Sequence, residues 1–125
     1  QVVLPLMESS LLDLMMTVAS GESLAGKAVA TRSGAAVTTV LASGGYPASY
    51  EKGKSISLPA EPFGEEMIVF HAGTKIQDGT LVSSGGRVLA VTGIGATFED
   101  AAQASRDAAA RIEFEGAFFR SDIGW

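Results

Sequence analysis

Arg87-Val-Leu-Ala-Val-Thr92-Gly-Ile-Gly95-Ala-Thr97-Phe-Glu-Asp100-Ala-Ala-Gln-Ala104-Ser-Arg-Asp-Ala108-Ala-Ala-Arg111 carries the change of period that decides the fold. Arg87 to Thr92 is β-branched and apolar, which predicts a strand. Thr97 with Asp100 three residues later is a capping-box pair, and Glu99 suits the positive end of a helix, so a helix is predicted from about Phe98 to Arg111. Its inner face would be Ala101, Ala104, Ala108 and Ile112, small enough to approach a sheet. Gly93 and Gly95 lie between strand and helix and read as turn glycines. Their G-x-G spacing is that of a dinucleotide fingerprint, but Phe98 stands where the third small residue belongs, which argues against close helix–strand packing and against that fold.

Upstream, strands are expected at Ala35 to Ser43, Ile56 to Leu58 and Met67 to Thr74, with Leu81-Val82 beyond an Asp78-Gly79 hairpin turn. Gly44-Gly45-Tyr46-Pro47 and Gly85-Gly86 mark turns. Val2-Val3-Leu4 reads as a strand-like run closed by Pro5. A helix is expected from about Ser9 to Ser20, with apolar stripes Leu11, Leu14, Met15, Val18 and Leu12, Met16, Ala19 on two sides and Gly21 just past its end. Gly21 to Ser33 reads as a linker. Helix, four or five antiparallel strands and a second helix make the class α+β.

The 125 residues carry 46% hydrophobic and 18% charged side chains, so the chain is no disordered segment and is sized for a single domain. A formal charge of −5 speaks against nucleic acid and anionic membrane as partners, which need a basic footprint. With no cysteine, thiolate metal sites and thiol nucleophiles are excluded, and a cytoplasmic setting is expected. The strand-like opening without an initiator Met reads as a piece of a longer chain.

No catalytic constellation emerges. Gly21 to Lys27 approaches a phosphate-loop pattern, but Ala28 lacks the hydroxyl that would meet Mg²⁺, and the segment follows a helix where a strand is needed. His71, the single histidine, has no second ligand nearby and reads as a structural residue near a sheet end. Glu65-Glu66, Glu99-Asp100 and Glu113/Glu115 each have simple explanations as solvated or capping carboxylates. Lys75 and Arg87 are more suggestive, because hairpin and glycine turns between them could bring both to one end of the sheet. There they could hold a phosphate, Arg as a planar fork and Lys as a point charge; two ordinary surface bases fit the spacing too.

Gln1-Val-Val-Leu-Pro-Leu-Met, Ser43-Gly-Gly-Tyr-Pro, Val69-Phe-His-Ala-Gly-Thr-Lys75, Ser84-Gly-Gly-Arg-Val-Leu-Ala-Val-Thr92 and Arg120-Ser-Asp-Ile-Gly-Trp125 occur in that order. Together they resemble the C-terminal part of the glycinamide ribonucleotide synthetases, the phosphoribosylamine–glycine ligases of purine synthesis, over essentially the whole chain. The resemblance implies an ATP-grasp ligase that joins glycine to 5-phosphoribosylamine through glycyl phosphate, with ATP and Mg²⁺ as cofactors. It implies that the Mg²⁺ ligands and an R-F-G-D-P-E segment lie ahead of Gln1, so that this chain alone is inactive. It also implies a division into residues 1–20 as the tail of the ATP-grasp domain, 21–33 as linker, and 34–125 as a C-terminal domain similar to that of biotin carboxylase. The rest of its own chain is then its partner. In a related purine-pathway carboxylase subunit, a Lys and a G-R segment of this domain contact the ribose phosphate, and Lys75 and Gly86-Arg87 match them. A purely structural packing domain and a stand-alone small-ligand-binding β-domain are the alternative readings.

Overall fold

Val88, Leu89, Ala90, Val91 and Thr92 are all but inaccessible to solvent, which makes their strand the centre of the molecule. The computed structural model describes residues 1–122; the end of the Arg120–Trp125 block, from Ile123 on, lies outside the described residues. The elements are α1 (Val3–Leu6), α2 (Leu11–Ala19), β1 (Ala35–Ala42), β2 (Met67–His71), β3 (Thr74–Gln77), β4 (Thr80–Ser83), β5 (Arg87–Gly95) and α3 (Phe98–Ala109). An antiparallel sheet of order β1-β5-β2 is backed by α3, and β3 and β4 form a separate two-stranded hairpin. The architecture is therefore α+β, as the sequence predicts.

The helix that follows β5 begins where expected. Thr97 and Asp100 form both bonds of the capping box, Asp100 N–H to Thr97 Oγ1 at 3.1 Å and Thr97 N–H to Asp100 Oδ2 at 3.3 Å. Such a cap satisfies two of the four amides that the first helical turn leaves without partners. Ala101 and Ala108 are buried as expected, but Ala104 is only half-buried, and Ala102, Ser105 and Ala109 join the inner face.

Gly93 and Gly95 are not turn residues. Both belong to β5, which runs on to residue 95 and pairs with β1 on one side and, at Gly93, with β2 on the other. A Cβ at Gly93 would lie 2.5 Å from the Ala101 carbonyl oxygen and 2.6 Å from the Ser105 nitrogen; one at Gly95 would lie 2.6 Å from the Ala101 nitrogen. Helix backbone thus rests directly on strand backbone. The expectation that Phe98 bars close packing fails as well, because Phe98 sits at the helix start and is 44% exposed, while contact is made one turn later at Ala101.

Hydroxyls seal this contact. Ser105 Oγ lies 2.8 Å from the Val91 carbonyl oxygen and 2.6 Å from Thr39 Oγ1, all buried. The Ser105 hydroxyl is the donor toward both acceptors, the Val91 carbonyl oxygen and Thr39 Oγ1, which share its one proton.

Other expectations change in detail. Val2-Val3-Leu4 is not a strand but enters the short turn α1; Pro5, lacking N–H, is tolerated in a first helical turn, where no partner is needed. Ile56 to Leu58 forms no strand. Ser55 and Ser57 make single bridges, to Val82 and Glu113, and Pro59 stops further pairing. The run from Met67 to Thr74 breaks at Ala72-Gly73, so β2 stays with β5 and β3 turns away into the hairpin. There Asp78 (φ 50°) and Gly79 (φ 77°) both occupy the left-handed region, as a two-residue hairpin turn demands.

Helix α2 ends in the predicted way. Gly21 (φ 74°) follows its C-cap, with Gly21 N–H bonded to Val18 O and Glu22 N–H to Thr17 O, each at 3.0 Å, a Schellman closure. Its apolar stripes, however, remain uncovered by the described residues. Leu12, Met15, Met16 and Val18 are each more than half exposed, and only Thr17 is buried.

Candidate functional site

Two adjoining clefts lie beside the start of β5, about 410 and 430 Å³ in volume, and Val40, Tyr46 and Arg87 line both. The first is walled largely by apolar groups, Pro47, Phe118 and Phe119 among them. The second is lined by Gln1, Tyr50, Ala72, Gly73, Gly85, Gly86 and Ala90 as well.

The local sequence explains how these groups converge. After β1 the chain reverses at Gly44-Gly45, where Gly45 has φ 93° and Tyr46 N–H bonds to Ser43 O at 3.0 Å. The reversal swings Tyr46 back over the sheet, and its ring meets that of Tyr50 edge-on, 6.2 Å between centres. Opposite them, the loop before β5 is held by Ser84 and Gly85 N–H groups on Gly73 O and by Ser43 N–H on Gly86 O. Gly73 and Gly86 leave no room for side chains. A Cβ at Gly73 would sit 2.4 Å from the Arg87 carbonyl oxygen, and one at Gly86 2.2 Å from the Tyr46 ring. The cleft therefore has bare backbone on one wall and aromatic edges on the other.

Arg87 stands at the junction, opposite Ala42 at the first position of β5. Among the described residues its guanidinium has no hydrogen-bond or ion-pair partner, although carboxylates outnumber bases in the chain. Arg120 also lines the first cleft, but Asp122 accepts hydrogen bonds from two of its nitrogens. That pairing holds the Asp122 carboxyl below its ordinary range.

Lys75 is not brought to this point. It lies on β3, paired with Val82, and lines neither cleft. Sheet and hairpin are separate, so the expected meeting of Lys75 and Arg87 at one sheet end does not arise from strand pairing.

Several of the other candidates are occupied. His71 Nδ1 lies 2.9 Å from Thr74 Oγ1 at the exposed end of β2. Glu66 takes a two-oxygen hydrogen bond from Arg32 at 3.0 Å. Lys27, the lysine of the near phosphate-loop pattern, donates to Thr17 Oγ1 at 2.6 Å. Glu51 and Glu115 both bind Lys54, at 2.7 and 2.8 Å; their hydrogen bonds push Lys54 up to about 12, and Glu51 is correspondingly lowered. Among the described residues no group of three or more His, Asp or Glu side chains converges as a metal ion would require.

Sequence reasoning singled out Arg87, which lines both clefts, but not Tyr46, Tyr50 or Gly73 beside it. The Gly44-Gly45 pair next to Tyr46 was the available signal, since it joins a tight reversal to a ring.

The antiparallel sheet backed by one helical layer is an architecture that this chain shares with a solved ligase. The crystal structure of phosphoribosylamine–glycine ligase from Thermotoga maritima superposes with a TM-score of 0.76 at 40% identity, over 89% of this chain and 26% of that one. The chain belongs to the family described as phosphoribosylglycinamide synthetase, C domain, whose model matches residues 36–125. It is 44% identical over 125 residues to phosphoribosylamine–glycine ligase of Chlorobaculum tepidum, covering 99% of this chain and 29% of that protein. It is 42% identical to the trifunctional purine biosynthetic protein adenosine-3 of Gallus gallus, covering all of this chain and 12% of that protein. The chain thus spans less than a third of these relatives.

Proposed function

We propose that this chain serves an ATP-dependent, ATP-grasp ligase joining glycine to 5-phosphoribosylamine, and that its part is to bind the ribose phosphate in the cleft at Arg87. The observation that supports this most is that Arg87, whose guanidinium has no partner among the described residues, lines the cleft together with bare glycine backbone and Tyr46. A planar fork in such a place can take two phosphate oxygens at once, while Gly73, Gly85 and Gly86 let the sugar approach the main chain. Holding the phosphate fixes the distant amine in line with an activated glycine carboxylate, which lowers the entropic part of the barrier.

ATP and Mg²⁺ are cofactors of the proposed reaction, but among the described residues no three His, Asp or Glu side chains gather to hold a metal ion. Glu66, Glu51 and Glu115 are paired with bases, and Asp100 caps α3. On this reading the chain is inactive alone and works in the cytoplasm as part of the longer ligase.

Lys75, outside the cleft, would add only long-range attraction for the phosphate. In the complete ligase, Arg87→Ala should raise the KM for phosphoribosylamine about tenfold or more, as expected for a lost charge-assisted hydrogen bond, and Lys75→Ala much less. An unchanged KM in Arg87→Ala would remove Arg87 from the site.

A packing role is favoured by a separate observation, the exposed Leu12, Met15, Met16 and Val18 of α2. We propose that this face is covered by the ATP-grasp part of the same ligase, with residues 1–20 as its tail, 21–33 as linker and 34–125 as the C-terminal domain. A stable monomer of the isolated chain with no dye-binding apolar surface would contradict that packing.

A further inference from the structure

The face of β5 turned away from α3 carries a hydroxyl where an apolar side chain would be expected. Thr92 is fully buried at the middle of the central strand, directly opposite Thr38 of β1 and Ile68 of β2. Its Oγ1 lies 2.6 Å from Thr38 Oγ1 and 2.8 Å from the backbone carbonyl oxygen of Gln1, and Thr38 Oγ1 reaches the same carbonyl at 3.3 Å. A buried hydroxyl without a partner is costly, so a strand position of this kind favours valine, which has the same shape, unless the hydrogen bond matters. Here the partner is 91 residues away in sequence, and it is main chain. The carbonyl can only accept, so Thr92 donates to Gln1 and Thr38 can donate to Thr92.

Gln1 is also a wall of the second cleft, with Arg87, Tyr46 and Tyr50. We infer that Thr92 and Thr38 form a hydroxyl clasp that positions the Gln1 segment against the sheet, so that the cleft beside Arg87 has its substrate-binding shape. They are positioning residues, not catalytic ones, and the inference rests on the reading of the cleft as the phosphoribosyl site. Fixing a wall in advance spares the substrate the cost of ordering it, so loss of the clasp should weaken binding rather than slow chemistry.

The test uses the complete ligase with Thr92→Val, Thr92→Ser and Thr38→Val, and Ser105→Ala as a buried hydroxyl on the opposite face that lines neither cleft. KM for phosphoribosylamine, kcat and melting temperature are measured for each. The clasp predicts a KM raised roughly fivefold in Thr92→Val with kcat within about twofold, a smaller rise in Thr38→Val, and recovery in Thr92→Ser, as one hydrogen bond is worth. Ser105→Ala should lower the melting temperature and leave KM in place. The clasp is overturned if Thr92→Val is less stable with an unchanged KM, or if Thr92→Ser is as impaired as Thr92→Val, since the methyl group would then be what matters. If Thr92→Val does not fold, Thr38→Val decides by the same KM criterion. Arg87→Ala separates the two readings: silent Arg87 and Thr92 variants together refute the site, whereas a silent Thr92 beside a defective Arg87 refutes the clasp alone.

Discussion

Replacing Gly93 with alanine adds one methyl group at the point where α3 rests on β5. On conformational grounds alone the change should help, because alanine in a strand interior is favoured over glycine by about 0.5–1 kcal/mol. The structure opposes it more strongly. The new Cβ would lie 2.5 Å from the Ala101 carbonyl oxygen and 2.6 Å from the Ser105 nitrogen, about 0.8–0.9 Å inside ordinary contact. Both opposing atoms belong to helix backbone, so no side chain can rotate aside. Relief requires α3 to lift, which also stretches the Ser105 bond to the Val91 carbonyl. Overpacking of this kind costs about 2–3 kcal/mol, so the net loss should be near 2 kcal/mol. For a chain of this size that is a fall in melting temperature of roughly 6–10 °C. Denaturant unfolding of the chain followed by circular dichroism measures it, with Gly64→Ala as control, since a Cβ there meets nothing within 4 Å. A Gly93→Ala protein as stable as the parent would refute the claim that helix and strand backbones meet at this residue.

Thr97→Ala removes the hydroxyl that accepts from Asp100 N–H, and equilibrium unfolding should show a loss of about 1 kcal/mol, the usual worth of an N-cap. Lys54→Met removes the cation shared by Glu51 and Glu115, and its effect should depend on pH in a defined direction. Glu51 is lowered in the folded state, so its contribution is present above its ordinary value of 4.5 and disappears as pH falls through the lowered one. Lys54 is raised to about 12, so its contribution is complete below 10.5 and disappears as pH rises through about 12. The stability difference between parent and Lys54→Met should therefore be flat in between and close at both ends; a difference that persists at acid pH would contradict the pairing.

Local chemistry was the legible part of this fold. The Thr97/Asp100 capping box, the Asp78-Gly79 turn and the Gly21 helix end are each fixed by a few neighbouring residues, and each stands where the sequence puts it. What failed depended on contacts distant in sequence. Gly93 and Gly95 look identical whether a chain turns at them or a helix presses on them, and only the position of α3 distinguishes the two. Ser105 interrupts an alanine face, so its burial could not be read without Val91 and Thr39 beneath it. Lys75 and Arg87 flank one hairpin, yet the break at Ala72-Gly73 sends β3 into a different sheet from β5. The second cleft gathers Gln1, strand residues Val40 and Ala90, and loops around residues 46–50, 72–73 and 85–87, which no spacing rule joins. The resemblance to the ligase family supplied what periodicity could not.

The central claim, that Arg87 marks a phosphate site, is tested most directly by isothermal titration of the complete ligase with ribose 5-phosphate and with ribose. The parent protein should bind the phosphorylated sugar at least tenfold more tightly, the worth of one charge-assisted contact, and Arg87→Ala should lose that preference. Equal binding of the two sugars by the parent, or an undiminished preference in Arg87→Ala, would contradict it.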